Sequence, residues 1–139
     1  MKKAIHCKKE VVVLLSHGSS KKYAKQVLTS LKKKLSSILQ KYNVQFFHAF
    51  LQINKPLLED CLLGIMDSKN IKISKIIILP VFISHGKHTR DDLINIVRKF
   101  KKSYEKPNIK LAEPLGDDEF LVKLLAKRYK NIRNTKILV

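Results

Sequence analysis

Short apolar runs rich in β-branched residues alternate along this chain with longer stretches whose apolar residues recur every three or four positions. Val11-Val12-Val13-Leu14-Leu15 is the first such run, and Lys75-Ile76-Ile77-Ile78-Leu79-Pro80-Val81-Phe82 is the strongest. An unbroken apolar run of this length reads as a strand covered on both faces. From Lys21 to Lys41, Ala24, Val27, Leu28, Leu31, Leu35, Ile38 and Leu39 mark one face of a long helix whose other face is lysine. Val44 to Leu51 predicts a second strand. Pro56 suits the first position of a second helix, with Leu57, Leu58, Cys61, Leu62 and Ile65 facing inward. A third helix is expected from about Arg90, carrying Leu93, Ile96, Val97, Phe100 and Tyr104 on its inner face. Lys110 to Glu113 predicts a fourth strand. Asp117 is expected to cap a last helix that buries Leu121, Leu124, Leu125 and Tyr129. Lys136 to Val139 reads as a fifth strand or a docking segment.

Strand–helix alternation of this kind predicts an α/β fold: three layers, doubly wound and flavodoxin-like, around a mostly parallel sheet with right-handed crossovers. A chain of 139 residues builds one core rather than two. The expected organisation is a flexible basic leader over residues 1–9 and a single domain over residues 10–139. No apolar run approaches the roughly 20 residues a membrane span needs, so no membrane partner is expected. The run after the basic N-terminus is too short for a signal peptide. Two cysteines, Cys7 and Cys61, stand at no motif spacing and point to a reducing compartment. The cytoplasm is expected, or the plastid stroma if the chain is organellar.

Charge narrows the partners. Lys plus Arg number 29 against 11 acidic residues, a formal +18, which draws in polyanions. Nucleic-acid surfaces favour Arg for bidentate contacts, yet Arg occurs only at Arg90, Arg98, Arg128 and Arg133. The lysines are spread along the whole chain, as on an ordinary lysine-rich surface. Nucleic acid is therefore not the expected partner.

Two loops carry chemistry. His17-Gly18-Ser19-Ser20 follows the first strand, and Ser84-His85-Gly86-Lys87-His88-Thr89-Arg90-Asp91-Asp92 follows the third. Loops at the carboxyl ends of parallel strands line the ligand crevice of open α/β sheets. Imidazole is the commonest metal ligand and titrates near neutral pH. Gly18 permits a tight turn, and Ser19 and Ser20 suit a helix cap or an anion. Neither a dinucleotide fingerprint nor a phosphate-binding loop is present. Thr89 or Asp91 is expected as the cap of the third helix. Asp92 is placed to orient an imidazole, and spacing leaves open whether His85 or His88 points inward. His48 reads as a strand residue, and His6 and Cys7 as part of the leader.

The motifs in order are His-Gly-Ser, then Pro-Val-Phe-Ile-Ser-His-Gly-Lys-His-Thr-Arg-Asp-Asp-Leu, then Glu113-Pro114-Leu115-Gly116-Asp117. Together they resemble the short class II tetrapyrrole chelatases, the sirohydrochlorin chelatases that insert cobalt, iron or nickel. The resemblance spans about Val11 to Arg128 and implies a single chelatase-like domain. It carries the metal-binding and catalytic roles to His17 and His88. Supporting or substrate-binding roles fall to Gly18, Ser19, Gln52, Ser84, His85, Gly86 and Asp92. It implies Co2+, Fe2+ or Ni2+ as a substrate, no organic cofactor, carboxylate-rimmed sirohydrochlorin as partner, and a homodimer. Lys87, Arg90 and the lysines of the long helix would then attract the macrocycle. The family often carries Glu in a Phe-Leu-Glu stretch after the second strand. Here the stretch is Phe50-Leu51-Gln52, and a neutral amide accepts no proton. That departure keeps open a non-catalytic metal or tetrapyrrole carrier. A basic nucleic-acid-binding domain is the remaining alternative, and it leaves both His loops without a role.

Overall fold

A computed structural model describes residues 9–68, 72–133 and 135. Apart from Lys9, the leader expected over residues 1–9 lies outside the described residues, as does the segment expected over residues 136–139. The elements run β1 (Lys9–Ser16), α1 (Lys22–Ile38), β2 (Val44–Phe50), α2 (Leu58–Met66), β3 (Ile73–Pro80), α3 (Lys87–Ser103), β4 (Asn108–Leu111) and α4 (Glu119–Ile132). The four strands form one parallel sheet in the order β2-β1-β3-β4.

The two central strands explain the apolar runs. Val11 to Leu15 are all buried because β1 lies between β2 and β3 with helices on both faces. Alternate residues serve different layers. Val11, Val13, Leu15, Ile76, Ile78 and Ile109 join Leu58, Leu62 and Ile65 of α2 and Leu93, Val97 and Phe100 of α3 in the larger core. Val12 and Leu14 pack with Phe50 and with Leu28 of α1 in a smaller one.

Helix boundaries differ from expectation where the cap is backbone rather than side chain. α3 begins at Lys87 with Gly86 as its N-cap, so neither Thr89 nor Asp91 caps it. α1 starts behind Lys21 with no side-chain cap; Ser19 Oγ instead accepts from Lys21 N at 3.2 Å. Pro56 follows a cis peptide bond and precedes α2 rather than opening it. Asp118, not Asp117, caps α4, accepting from Phe120 N at 2.8 Å.

The largest departure is α4. Its expected buried stripe is not buried: Leu121 is half-buried, and Leu124, Leu125 and Tyr129 are exposed. Among the described residues, α4 packs closely against no other element. The amphipathic pattern was read correctly, but a helix buries its apolar face only where another surface meets it.

Candidate functional site

The parallel ladder continues past the ends of β1 and β2. Leu51 N donates to Ser16 O at 2.9 Å, and Gln52 N donates to His17 O at 3.1 Å. His17 and Gln52 are thereby fixed side by side above the sheet. Gly18 then turns with φ +97. A Cβ there would run into the carbonyl oxygen of Gln52, so only glycine fits. Ser19 N donates to Asn54 Oδ1 at 2.6 Å, which ties the loop to the segment after β2.

On the other side, Val81 N donates to Leu15 O at 2.7 Å and leads the chain away from β3. Phe82 is buried, and its ring lies 4.5 Å from the His17 imidazole and 6.3 Å from that of His85. Phe82 therefore contacts both imidazoles. His85 faces a second hollow with Ser84, Glu113 and the Pro114 to Asp118 loop.

His17 opens into a cleft of about 670 Å³ between α2 and α3. Leu51, Gln52, Glu59, Thr89, Asp92 and Lys99 also line it. Two carboxylates thus share the cleft with one imidazole. Glu59 is half-exposed and pairs with Lys99 at 3.6 Å. Asp92 makes no hydrogen bond to an imidazole among the described residues, so the expected orienting contact is absent in this structure. His88 is exposed on the first turn of α3. It does not line the cleft and touches neither His17 nor His85. It lies one helical turn before Asp92 and hence on the same side of α3.

The structure therefore lines one cleft with His17, Gln52 and Asp92 and a second hollow with His85. Glu59 and Lys99 are additions that sequence reasoning missed. Nothing in the run of α2 marks Glu59 except its place in the first turn, where acidic residues suit any helix.

His48 is a separate feature. It faces α1, where Lys32 Nζ lies 3.3 Å from its Nδ1. Burial, and then the charges of Lys32 and Lys25, hold this imidazole below its ordinary value.

A family model described as CbiX matches residues 11–132. The sirohydrochlorin cobaltochelatase of Methanosarcina acetivorans is 29% identical over 125 residues, covering 84% of this chain and 92% of that one. The sirohydrochlorin cobaltochelatase of Saccharolobus solfataricus is 29% identical over 129 residues, covering 88% and 95%. Among solved structures, the sirohydrochlorin chelatase SirB of Bacillus subtilis subspecies spizizenii, in complex with cobalt, superposes with a TM-score of 0.74 at 22% identity. That match takes in 89% of this chain and 51% of the SirB chain, so this chain spans about half of it. The putative cobalamin biosynthesis CbiX protein of Marinobacter aquaeolei VT8 gives a TM-score of 0.69 at 20% identity, covering 88% and 95%. These structural matches establish the shared fold.

Proposed function

Because the chain belongs to the CbiX family, we propose that it is a sirohydrochlorin chelatase, inserting a divalent metal into the macrocycle. The observation that carries the reading is the cleft itself: a fixed imidazole and two carboxylates around a space at the carboxyl ends of the strands. Insertion exchanges one M2+ for two pyrrole N–H protons, so the site has to deliver a metal and accept protons. His17 and His88 are the metal ligands in this reading. Imidazole suits cobalt, iron and nickel alike, and the metal is substrate, not a resident ion. The His17 ring also carries a nitrogen lone pair that can take up a proton. Gly18 and Ser19 set the loop that carries His17, Gly86 caps α3, and Ser84 and His85 line the neighbouring hollow.

Gln52 occupies the place where a carboxylate is frequent in the family. Asp92 and Glu59 lie in the same cleft and supply the proton acceptors that an amide does not. This favours an enzyme over a carrier, which would bind metal without turnover. The unpaired, buried Cys61 suits a cytoplasmic enzyme. We read the working unit as a homodimer.

The test is insertion of Co2+, Fe2+ or Ni2+ into sirohydrochlorin, followed by the change in tetrapyrrole absorbance. His17→Ala and His88→Ala are each expected to lower kcat/KM at least about 100-fold, in the range that loss of a metal-site contact or general base produces. Glu59→Gln is expected to lower kcat while leaving metal binding in place. Full activity in both His variants overturns the site assignment. Stoichiometric metal binding with no turnover by the wild type establishes the carrier instead.

A further inference from the structure

We propose that Lys99 grips a rim carboxylate of the bound macrocycle and, in turning to it, releases Glu59 from the ion pair that spans the cleft. The inference rests on the chelatase reading and adds to it a residue that holds the substrate. It starts from the sign of the cleft. On a chain of formal +18, the cleft lining carries two carboxylates, Glu59 and Asp92, and one ammonium, Lys99. Among the described residues, no other lysine or arginine lines it. A carboxylate-rimmed ring entering this space therefore meets two like charges and a single opposite one. Lys99 stands on the cleft side of α3, two turns beyond Asp92 and about 10 Å along the helix. From His88, at the head of the same helix, it is about 16 Å away along the axis. A ring held at its centre by the histidines carries its acidic arms outward, and Lys99 is the cation set out in that direction.

The pair across the cleft is built to change partners. Lys99 Nζ lies 3.6 Å from Glu59 Oε2, longer than a hydrogen bond. The two side chains are 68% and 44% exposed, so water competes with the contact and little energy holds it. A rim carboxylate offers the same ammonium shorter, charge-assisted hydrogen bonds in a space that the ring itself has cleared of water. The lysine stem is flexible and its three donors rotate, so the exchange needs no movement of α3. Glu59 is not stranded by the loss. It sits in the first turn of α2, where the helix N-terminus favours negative charge, and it is released for the proton-accepting role already assigned to it. Arrival and retention are separate matters. The summed charge of the molecule governs arrival, whereas a close contact with a bound group governs departure.

The test follows binding of metal-free sirohydrochlorin to the full chain by stopped-flow fluorescence, with metal insertion measured on the same samples. Lys99→Gln is expected to raise the dissociation rate about tenfold, the loss of one charge-assisted contact, with the association rate within about twofold of the wild type. Lys99→Arg keeps the charge and is expected to hold dissociation within about threefold. Glu59→Gln removes the competing partner and is expected to slow dissociation about twofold, although insertion slows as well. Thermal unfolding of each variant checks that the fold is intact. Release by Lys99→Gln at the wild-type rate overturns the grip and, where the wild type inserts metal, leaves the chelatase reading standing. Release by Glu59→Gln no slower than the wild type overturns the exchange of partners. Binding without insertion by the wild type overturns the chelatase reading, and the dissociation rates still decide the part of Lys99. A wild type that does not bind the macrocycle overturns both.

Discussion

At the residue scale, Gly18 is the position with least freedom. Its positive φ and the nearby Gln52 carbonyl leave no conformation for a side chain. Gly18→Ala is expected to displace Gln52 or swing His17 out of line, lowering kcat/KM at least about tenfold. Thermal unfolding is expected to shift by only a few degrees, because the loop is outside the core. Assaying both on one preparation separates a site effect from a folding one. His17 was legible as a crevice residue because strand ends and loop glycines mark a crevice directly, whereas Gln52 entered through the family resemblance and Asp92 was expected for an imidazole contact that this structure does not make. Glu59 was not, since only the packing of α2 beside α3 turns a first-turn carboxylate into a cleft residue. Cys61 shows the same dependence on context. Burial raises its thiol to about 11, an inertness that no spacing rule announces.

At the element scale, periodicity located every helix, and α3 and α4 depart furthest from expectation, for different physical reasons. α3 starts earlier than expected because Gly86 caps it with backbone alone. α4 has its apolar stripe where the pattern put it, but periodicity reports which side of a helix is apolar and not which molecule covers it. The two helices should therefore respond differently to truncation. Leu93, 1% exposed in α3, is expected to cost about 2–5 kcal/mol as Leu93→Ala. Leu124→Ala in α4, 46% exposed, is expected to cost well under half of that when measured at protein concentrations low enough to hold the chain monomeric. Urea midpoints at low and high protein concentration check both values. A Leu124→Ala cost that grows with concentration identifies a contact made between copies.

At the scale of the whole molecule, a formal +18 on 139 residues acts on association before any contact forms. A carboxylate-rich macrocycle is drawn in by the summed field rather than by one residue, so no single lysine should control capture. Raising ionic strength from about 0.05 to 0.5 M shortens the screening length severalfold. It is expected to raise KM for the macrocycle several-fold while kcat stays within about twofold. Initial-rate kinetics across that range provide the measurement, and a salt-independent KM would show that the charge has no part in capture. The fold class was legible at this scale because an apolar run such as Val11 to Leu15, buried on both faces, demands helices on both sides of the sheet. The assembly was not, because one copy of a sequence does not say how its surfaces are shared.

The hydrogen bond from Gln52 N to His17 O gives the loop a particular temperament. A site built to keep its ion wraps around it, trading backbone freedom for grip as the shell closes. His17 has no such slack, since its main chain is already stitched to the neighbouring strand and its side chain alone can turn. In the role proposed for it beside His88, it would hold an ion by a side chain on a fixed post, so release would call for no unwrapping. A post of that kind is a place for cargo to pause on the way to a better host.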